Sequence, residues 1–181
     1  VDRVIEKNPT LSGEQKEALR HVTQGADLAS VVGFAGTGKS YMLGMAREAW
    51  EAEGYKVQGM ALSGIAADSL QAGANIPSNT IANRLLVWKN GREQLSDRDV
   101  LVVDEAGMIG SKQMHAILKH AELSGAKVVL VGDPEQLQAI DAGASFRAII
   151  ERTGFAQMSD IRRQKEEWQK EASRNFGLKK A

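Results

Sequence analysis

Cysteine is absent from the chain, which excludes disulfides and thiolate zinc sites. The three histidines are too few and too scattered for a metal cluster, so any metal must be held by oxygen. Net charge is also missing: 23 Lys and Arg balance 23 Asp and Glu, so no global positive field draws in a polyanion and a nucleic-acid partner must be held by local contacts. The most basic stretch is Arg162 to Lys180, with seven basic residues against three acidic ones, a pattern that also fits a solvated amphipathic helix. No apolar run approaches the length that spans a bilayer, and the opening Val1 to Asn8 is charged, so the chain reads as cytoplasmic with no membrane partner. Internal repeats and low-complexity linkers are lacking as well.

What is present is one domain's worth of ordinary globular sequence: 181 residues, 43% hydrophobic and 25% charged. Short β-branched apolar runs alternate with longer helical patterns, the signature of a parallel sheet covered by helices. Five strands are predicted, at Leu28 to Phe34, Lys56 to Leu62, Val100 to Asp104, Lys127 to Gly132 and Phe155 to Met158. Helices are predicted at Ser12–Thr23, Lys39–Ala52, Ser111–Leu123 and Ala144–Arg152, and Gly73 to Asn79 and Lys89 to Asp97 read as loops around a further helix. The fold class is α/β, a doubly wound, mostly parallel sheet of about five strands with helices on both faces, forming a single lobe over residues 1–181.

The sharpest signal is Gly33-Phe34-Ala35-Gly36-Thr37-Gly38-Lys39-Ser40, which fits the phosphate-binding pattern G-x-x-x-x-G-K-[ST] between a buried strand and a helix. Its glycines let the backbone curl so that several N–H groups point at one phosphate, and the helix N-terminus adds partial positive charge. Gly33, Ala35, Gly36, Thr37, Gly38, Lys39 and Ser40 are therefore candidate ATP-binding residues. Lys39 brings a mobile charge for the β- and γ-phosphates, and Ser40 a hydroxyl for Mg²⁺, which favours a few oxygen ligands.

A second apolar strand ends in two carboxylates, Asp104 and Glu105, at the sheet edge where α/β folds bind ligands. Beside a phosphate loop, Asp104 reads as a Mg²⁺ ligand and Glu105 as the base that orients and deprotonates the attacking water. Alone, such a pair is more often a loop cap. A third strand ends in Gly132-Asp133-Pro134-Glu135-Gln136, where Gln136 is placed to sense the γ-phosphate or, alternatively, is a solvated residue of a turn.

The ordered segments Leu11-Ser12-Gly13-Glu14-Gln15, Gly33 to Ser40, Leu62 to Ala67, Asp104 to Gly107, Gly132 to Gln136 and Ile161-Arg162-Arg163-Gln164 resemble the RecD-like branch of superfamily 1 DNA helicases. The resemblance is narrower still to the helicase part of TraA-type conjugative relaxases. It implies a RecA-like P-loop lobe using ATP and Mg²⁺, 5′ to 3′ movement on single-stranded DNA, and Lys39, Asp104, Glu105, Gln136 and Arg163 as catalytic residues. Gln15 resembles the glutamine that reads the adenine edge, although Ser12-x-x-Gln15 is also a helix capping box. Ser63 and Gly64 match a segment that touches the sugar-phosphate track, and Thr80 a second one; both hydroxyls can equally cap helices. Relatives often carry lysine where this chain has Ile65, which removes a phosphate contact.

The resemblance also implies a second RecA-like lobe and a relaxase domain in the same polypeptide, the former read as lying beyond Ala181. Trp50, Trp88 and Trp168 are read as core anchors rather than base-stacking residues. Two other classes compete: a nucleotide-gated DNA-binding or scaffold module that has lost hydrolysis, and a small-molecule kinase. The first is disfavoured because Lys39, Ser40, Asp104, Glu105 and Gln136 are all present. The second leaves Gly132-Asp133 with Gln136 and Arg163-Gln164 unexplained.

Overall fold

The computed structural model describes residues 1–133, 135 and 144–160. Gln136, Arg162, Arg163, Gln164 and Trp168 lie outside the described residues. In chain order the elements are α1 (Asp2–Lys7), α2 (Gly13–Thr23), β1 (Leu28–Gly33), α3 (Lys39–Ala52), β2 (Lys56–Ala61), α4 (Gly64–Ala74), β3 (Ser78–Thr80), α5 (Ile81–Lys89), β4 (Asp99–Val103), α6 (Ser111–Ser124), β5 (Lys127–Gly132), α7 (Ala144–Thr153) and β6 (Ala156–Met158). A 3₁₀ turn, Ala106–Met108, follows β4.

The strands form one sheet in the order β3-β2-β4-β5-β1-β6, and every pair is parallel. Parallel sheets need crossover helices on both faces, so their strands are apolar on both sides. Val31, Val57, Val100, Val102, Val129 and Val131 face a core closed by α2, α3 and α4. The alternate residues Val32, Met60, Leu101, Val103, Val128 and Leu130 face a second core closed by α5, α6 and α7. Trp50 and Trp88 are buried in these cores, and Trp88 stacks on His120 with ring centroids 4.2 Å apart.

Among the described residues the sheet has six strands where five were expected. The extra one, β3, is only Ser78-Asn79-Thr80, a polar edge strand with no hydrophobic alternation to reveal it, and it lies partly inside the stretch read as a loop. The start of that loop is instead the end of α4, which closes with Asn75 in the left-handed conformation. β4 begins and ends one residue early because Asp99 joins the sheet: its carboxylate accepts from Gln58 Nε2 at 2.7 Å and from the Ser96 backbone N–H at 2.8 Å. Asp104 thus sits just past the strand, its N–H donating to the Met60 carbonyl at 2.9 Å.

Gly132, the last residue of β5, lies under the buried ring of Phe146 in α7. A Cβ added there would stand 2.3 Å from Phe146 Cε1. Gly132→Ala is therefore expected to destabilise the fold by about 1–3 kcal/mol through overpacking, whereas Gly25→Ala, with nothing within 4 Å of its Cβ position, should change little. Urea unfolding of both variants checks this, and equal midpoints would contradict the packing described.

Candidate nucleotide-binding edge

Because all the strands run the same way, their carboxyl ends meet along one edge. Gly33 is level with Met158 of β6, and Val32 with Gly132 of β5. The turn after β1 therefore opens beside Gly132-Asp133. Thr37 pins that turn, its hydroxyl donating to the Phe34 carbonyl at 2.8 Å. Gly36 and Gly38 take φ of 80° and 81°, a region costly for a side-chain-bearing residue.

Gly38 is the N-cap of α3, so the helix begins without a side-chain cap. The first-turn N–H groups of a helix carry its positive pole. Lys39 folds over the turn, Nζ donating to the carbonyls of Gly33 at 2.6 Å and Phe34 at 2.8 Å. Ser40 leans the other way, towards α4, where a Cβ on Gly73 would stand 2.8 Å from its own Cβ. The absence of a side chain at Gly73 makes room for Ser40.

Across the edge, the Asp104 carboxylate accepts from the Glu105 backbone N–H at 2.8 Å. Glu105 itself has φ of 54°, a left-handed conformation that costs a non-glycine residue about 1–2 kcal/mol. It is the residue at which the chain leaves the strand and enters the 3₁₀ turn, as that turn's N-cap. Burial pushes the Asp104 carboxyl above its ordinary value, opposed by the Glu105 N–H and by the positive charge of Lys39. Burial also raises Glu105, and the neighbouring Asp104 charge raises it further.

The capping box expected of Ser12 and Gln15 is present: Gln15 N–H donates to Ser12 Oγ at 3.1 Å, and Ser12 N–H to Gln15 Oε1 at 3.0 Å. Gln15 is also buried against the loop, with Nε2 donating to the Gly38 carbonyl at 3.4 Å. A Cβ on Gly38 would collide with that amide at 2.4 Å. Ser63 and Thr80 likewise act as N-caps, their hydroxyls accepting from Ala66 at 3.1 Å and Asn83 at 3.2 Å. They follow β2 and end β3, so the register Ala61–Thr80 brings them to one end of the same edge. Gly64 opens α4 beside Ser63, and Ile65 is largely exposed there.

Three contributors were not found by sequence reasoning. Glu14 accepts from the backbone N–H groups of Ser159 at 2.7 Å and Asp160 at 2.9 Å, tying α2 to the exit of β6. Gly73 seats Ser40, and Tyr41 shares a hydrogen bond with Thr10 at 3.1 Å. Each depends on a contact between residues distant in sequence, which no local pattern announces. The signals that pointed towards them were the place of Glu14 inside the Leu11–Gln15 segment and of Tyr41 next to Ser40.

Loop, lysine and paired carboxylates on the carboxyl edge of a parallel sheet define a P-loop domain, and the chain belongs to the AAA domain family, which it matches over residues 10–179. It is 51% identical over 173 residues to the conjugal transfer protein TraA of Rhizobium radiobacter, an alignment covering 96% of this chain and 16% of that protein. With the ATP-dependent RecD2 DNA helicase of Deinococcus radiodurans it shares 31% identity over 159 residues, 85% of this chain and 22% of that one. The Pif1 helicase of Candida albicans has the same fold, with a TM-score of 0.63 at 20% identity, over 88% of this chain and 42% of that chain. The resemblance to RecD-like helicases and TraA-type proteins read from the motifs is borne out, and the chain spans about one sixth of the length of its TraA relative. Among the described residues, no helix is long and apolar enough to cross a membrane.

The raised pKa of Asp104 makes the stability of the fold depend on pH. Its folded-state pKa lies above the unfolded value, so the parent is stabilised relative to its ionised form at low pH and loses that stability as pH rises through the folded pKa. Asp104→Asn cannot ionise. Without nucleotide or Mg²⁺, it should melt above the parent at pH 7 to 8, with a gap that closes towards about pH 4. Thermal melts across that range test this; a variant that melts lower at neutral pH, or a gap that ignores pH, would contradict the burial cost.

Proposed function

We propose that this chain is an ATP-hydrolysing motor lobe of a DNA helicase, working within a larger conjugal-transfer polypeptide. The observation that carries the reading is geometric: the Gly33–Ser40 turn after β1 and the Asp104–Glu105 pair after β4 open on the same carboxyl edge of one parallel sheet, where the positive charge of Lys39 favours the ionised form of Asp104. A cation for phosphates and a carboxylate for a metal thus share one field, as phosphoryl transfer requires.

The donor set suits Mg²⁺, a hard cation that takes oxygen ligands. Ser40 and Asp104 are the residues that would hold it, and a buried carboxylate disfavoured as a lone charge is well matched to a cation. When bound, the ion neutralises charge on the phosphates. The turn Gly33 to Ser40, with Ala35, Gly36 and Thr37, wraps the phosphates, and Lys39 exchanges its backbone carbonyl partners for phosphate oxygens. Glu105, made more basic than an ordinary carboxylate by burial and by Asp104, accepts the proton of the attacking water. Gln136 and Arg163 are proposed to contact the γ-phosphate, and Gln15 to read the adenine edge while it caps α2.

Single-stranded DNA is proposed to cross the β2–β3 end of the edge, where the N-termini of α4 and α5 present Ser63, Gly64 and Thr80. A hydroxyl that accepts from a helix N–H still has its own O–H to donate to a phosphate. Movement 5′ to 3′ on DNA, a second RecA-like lobe that closes the site, and a relaxase domain in the same polypeptide complete the proposal. Its support is the motif resemblance together with the conjugal transfer protein TraA and the RecD2 DNA helicase, of each of which this chain matches a small part.

Two variants test the chemistry. Lys39→Ala is expected to keep the fold and to bind Mg·ATP at least about tenfold more weakly, a loss of about 1.4 kcal/mol or more. Glu105→Gln should bind Mg·ATP much as the parent does while turnover falls by about 10²- to 10⁴-fold. Calorimetric binding and phosphate release measure both, and undiminished hydrolysis by Glu105→Gln, or undiminished binding by Lys39→Ala, would overturn the assignment.

A further inference from the structure

We propose that Tyr41 is a nucleoside-binding residue, whose ring forms with Gln15 the wall against which the ribose and base lie. This rests on the nucleotide reading of the Gly33–Ser40 turn. Gly38 is the N-cap of α3, and Tyr41 lies in the first turn of that helix. Both are tied to the same neighbouring segment, Gly38 through its carbonyl to Gln15 Nε2 and Tyr41 through its hydroxyl to Thr10 Oγ1. That segment opens α2 and contains the residue assigned to the base edge.

The residues flanking Tyr41 settle the direction in which a nucleotide leaves the turn. Lys39 turns back over Gly33 and Phe34, marking the phosphate end. Ser40 is packed against Gly73, so the α4 side is closed. The nucleoside therefore extends over the remaining side of the first helical turn, past Tyr41 towards Gln15. Tyr41 is 39% exposed although it is aromatic, leaving ring surface for a ligand. Its bond to Thr10 holds the ring in place beforehand, so less side-chain freedom is lost on binding.

Stacking on a ring is tolerant of base identity, because every base offers a π-face. Tyr41 thus supplies affinity for nucleosides in general, and Gln15 the choice among them.

The test compares Mg·ATP with inorganic tripolyphosphate in Mg²⁺, which has phosphates but no nucleoside, by calorimetric titration of the parent, Tyr41→Ala and Tyr41→Phe. Tyr41→Ala should weaken ATP binding about tenfold and leave tripolyphosphate binding unchanged. Tyr41→Phe, which keeps the ring but loses the tie to Thr10, should fall between parent and Tyr41→Ala for ATP. Unchanged ATP affinity in Tyr41→Ala, or an equal loss for both ligands, would overturn the proposal while leaving the phosphate turn intact. Failure of the parent to bind either ligand would overturn the nucleotide reading itself, and this proposal with it.

Discussion

The site depends on how β1 is held. It has parallel neighbours on both sides, β5 from Leu28 to Val32 and β6 from Val31 to Gly33, so neither slip nor fraying can move the turn that follows it. A one-residue shift of register would exchange Val31 with Val32 and put each in the wrong core. The same pairing levels Gly33 with Met158 and Val32 with Gly132. Glu14 then locks the exit of β6 to α2, and Gln15 one residue later leans on Gly38. The phosphate turn is therefore held at its base by the sheet and at its end by a helix that precedes β1 in the chain.

That rigidity lets the edge carry opposing costs. Asp104 and Glu105 are adjacent carboxylates, both pushed towards their neutral forms, and Glu105 sits in a strained backbone conformation. Strain and unfavourable charge persist only where the surroundings over-determine them. Here β4 is flanked by β2 and β5, with Val100 to Val103 entirely buried, and the Asp104 N–H is bonded to Met60. Lys39 offsets part of the charge cost, and a divalent cation held by Ser40 and Asp104 would offset more. The edge is assembled at a cost in stability that the proposed Mg·nucleotide would relieve.

Much of this was legible in the sequence because it is written locally. β1, β5 and α3 have β-branched or amphipathic runs bounded by glycine or charge, and the phosphate turn is a contiguous pattern with a known geometric reason. The Ser12–Gln15 box, too, is a four-residue signal. What escaped depends on partners distant in the chain. β3 is three polar residues that become a strand only because β2 offers an edge, and Gly73 looks like any helical glycine until Ser40 is seen against it. Tyr41 is two residues beyond Lys39 in the most informative segment, yet its role turns on Thr10, thirty-one residues upstream. For Ser63 and Thr80 the two sequence readings were capping and DNA contact; the capping geometry is present, and it is compatible with the other. Gln136 and Arg163 lie outside the described residues, so their roles rest on motif resemblance.

The central claim, that the carboxyl edge of the sheet binds Mg·nucleotide, is tested most directly by amide hydrogen exchange with and without a non-hydrolysable ATP analogue and Mg²⁺. The account predicts slowed exchange at Gly33 to Tyr41 and at Asp104 and Glu105, with no change at the opposite end of the sheet around Lys56, Arg84 and Glu93. Protection confined to that opposite end, or none at the phosphate turn under saturating ligand, would contradict it.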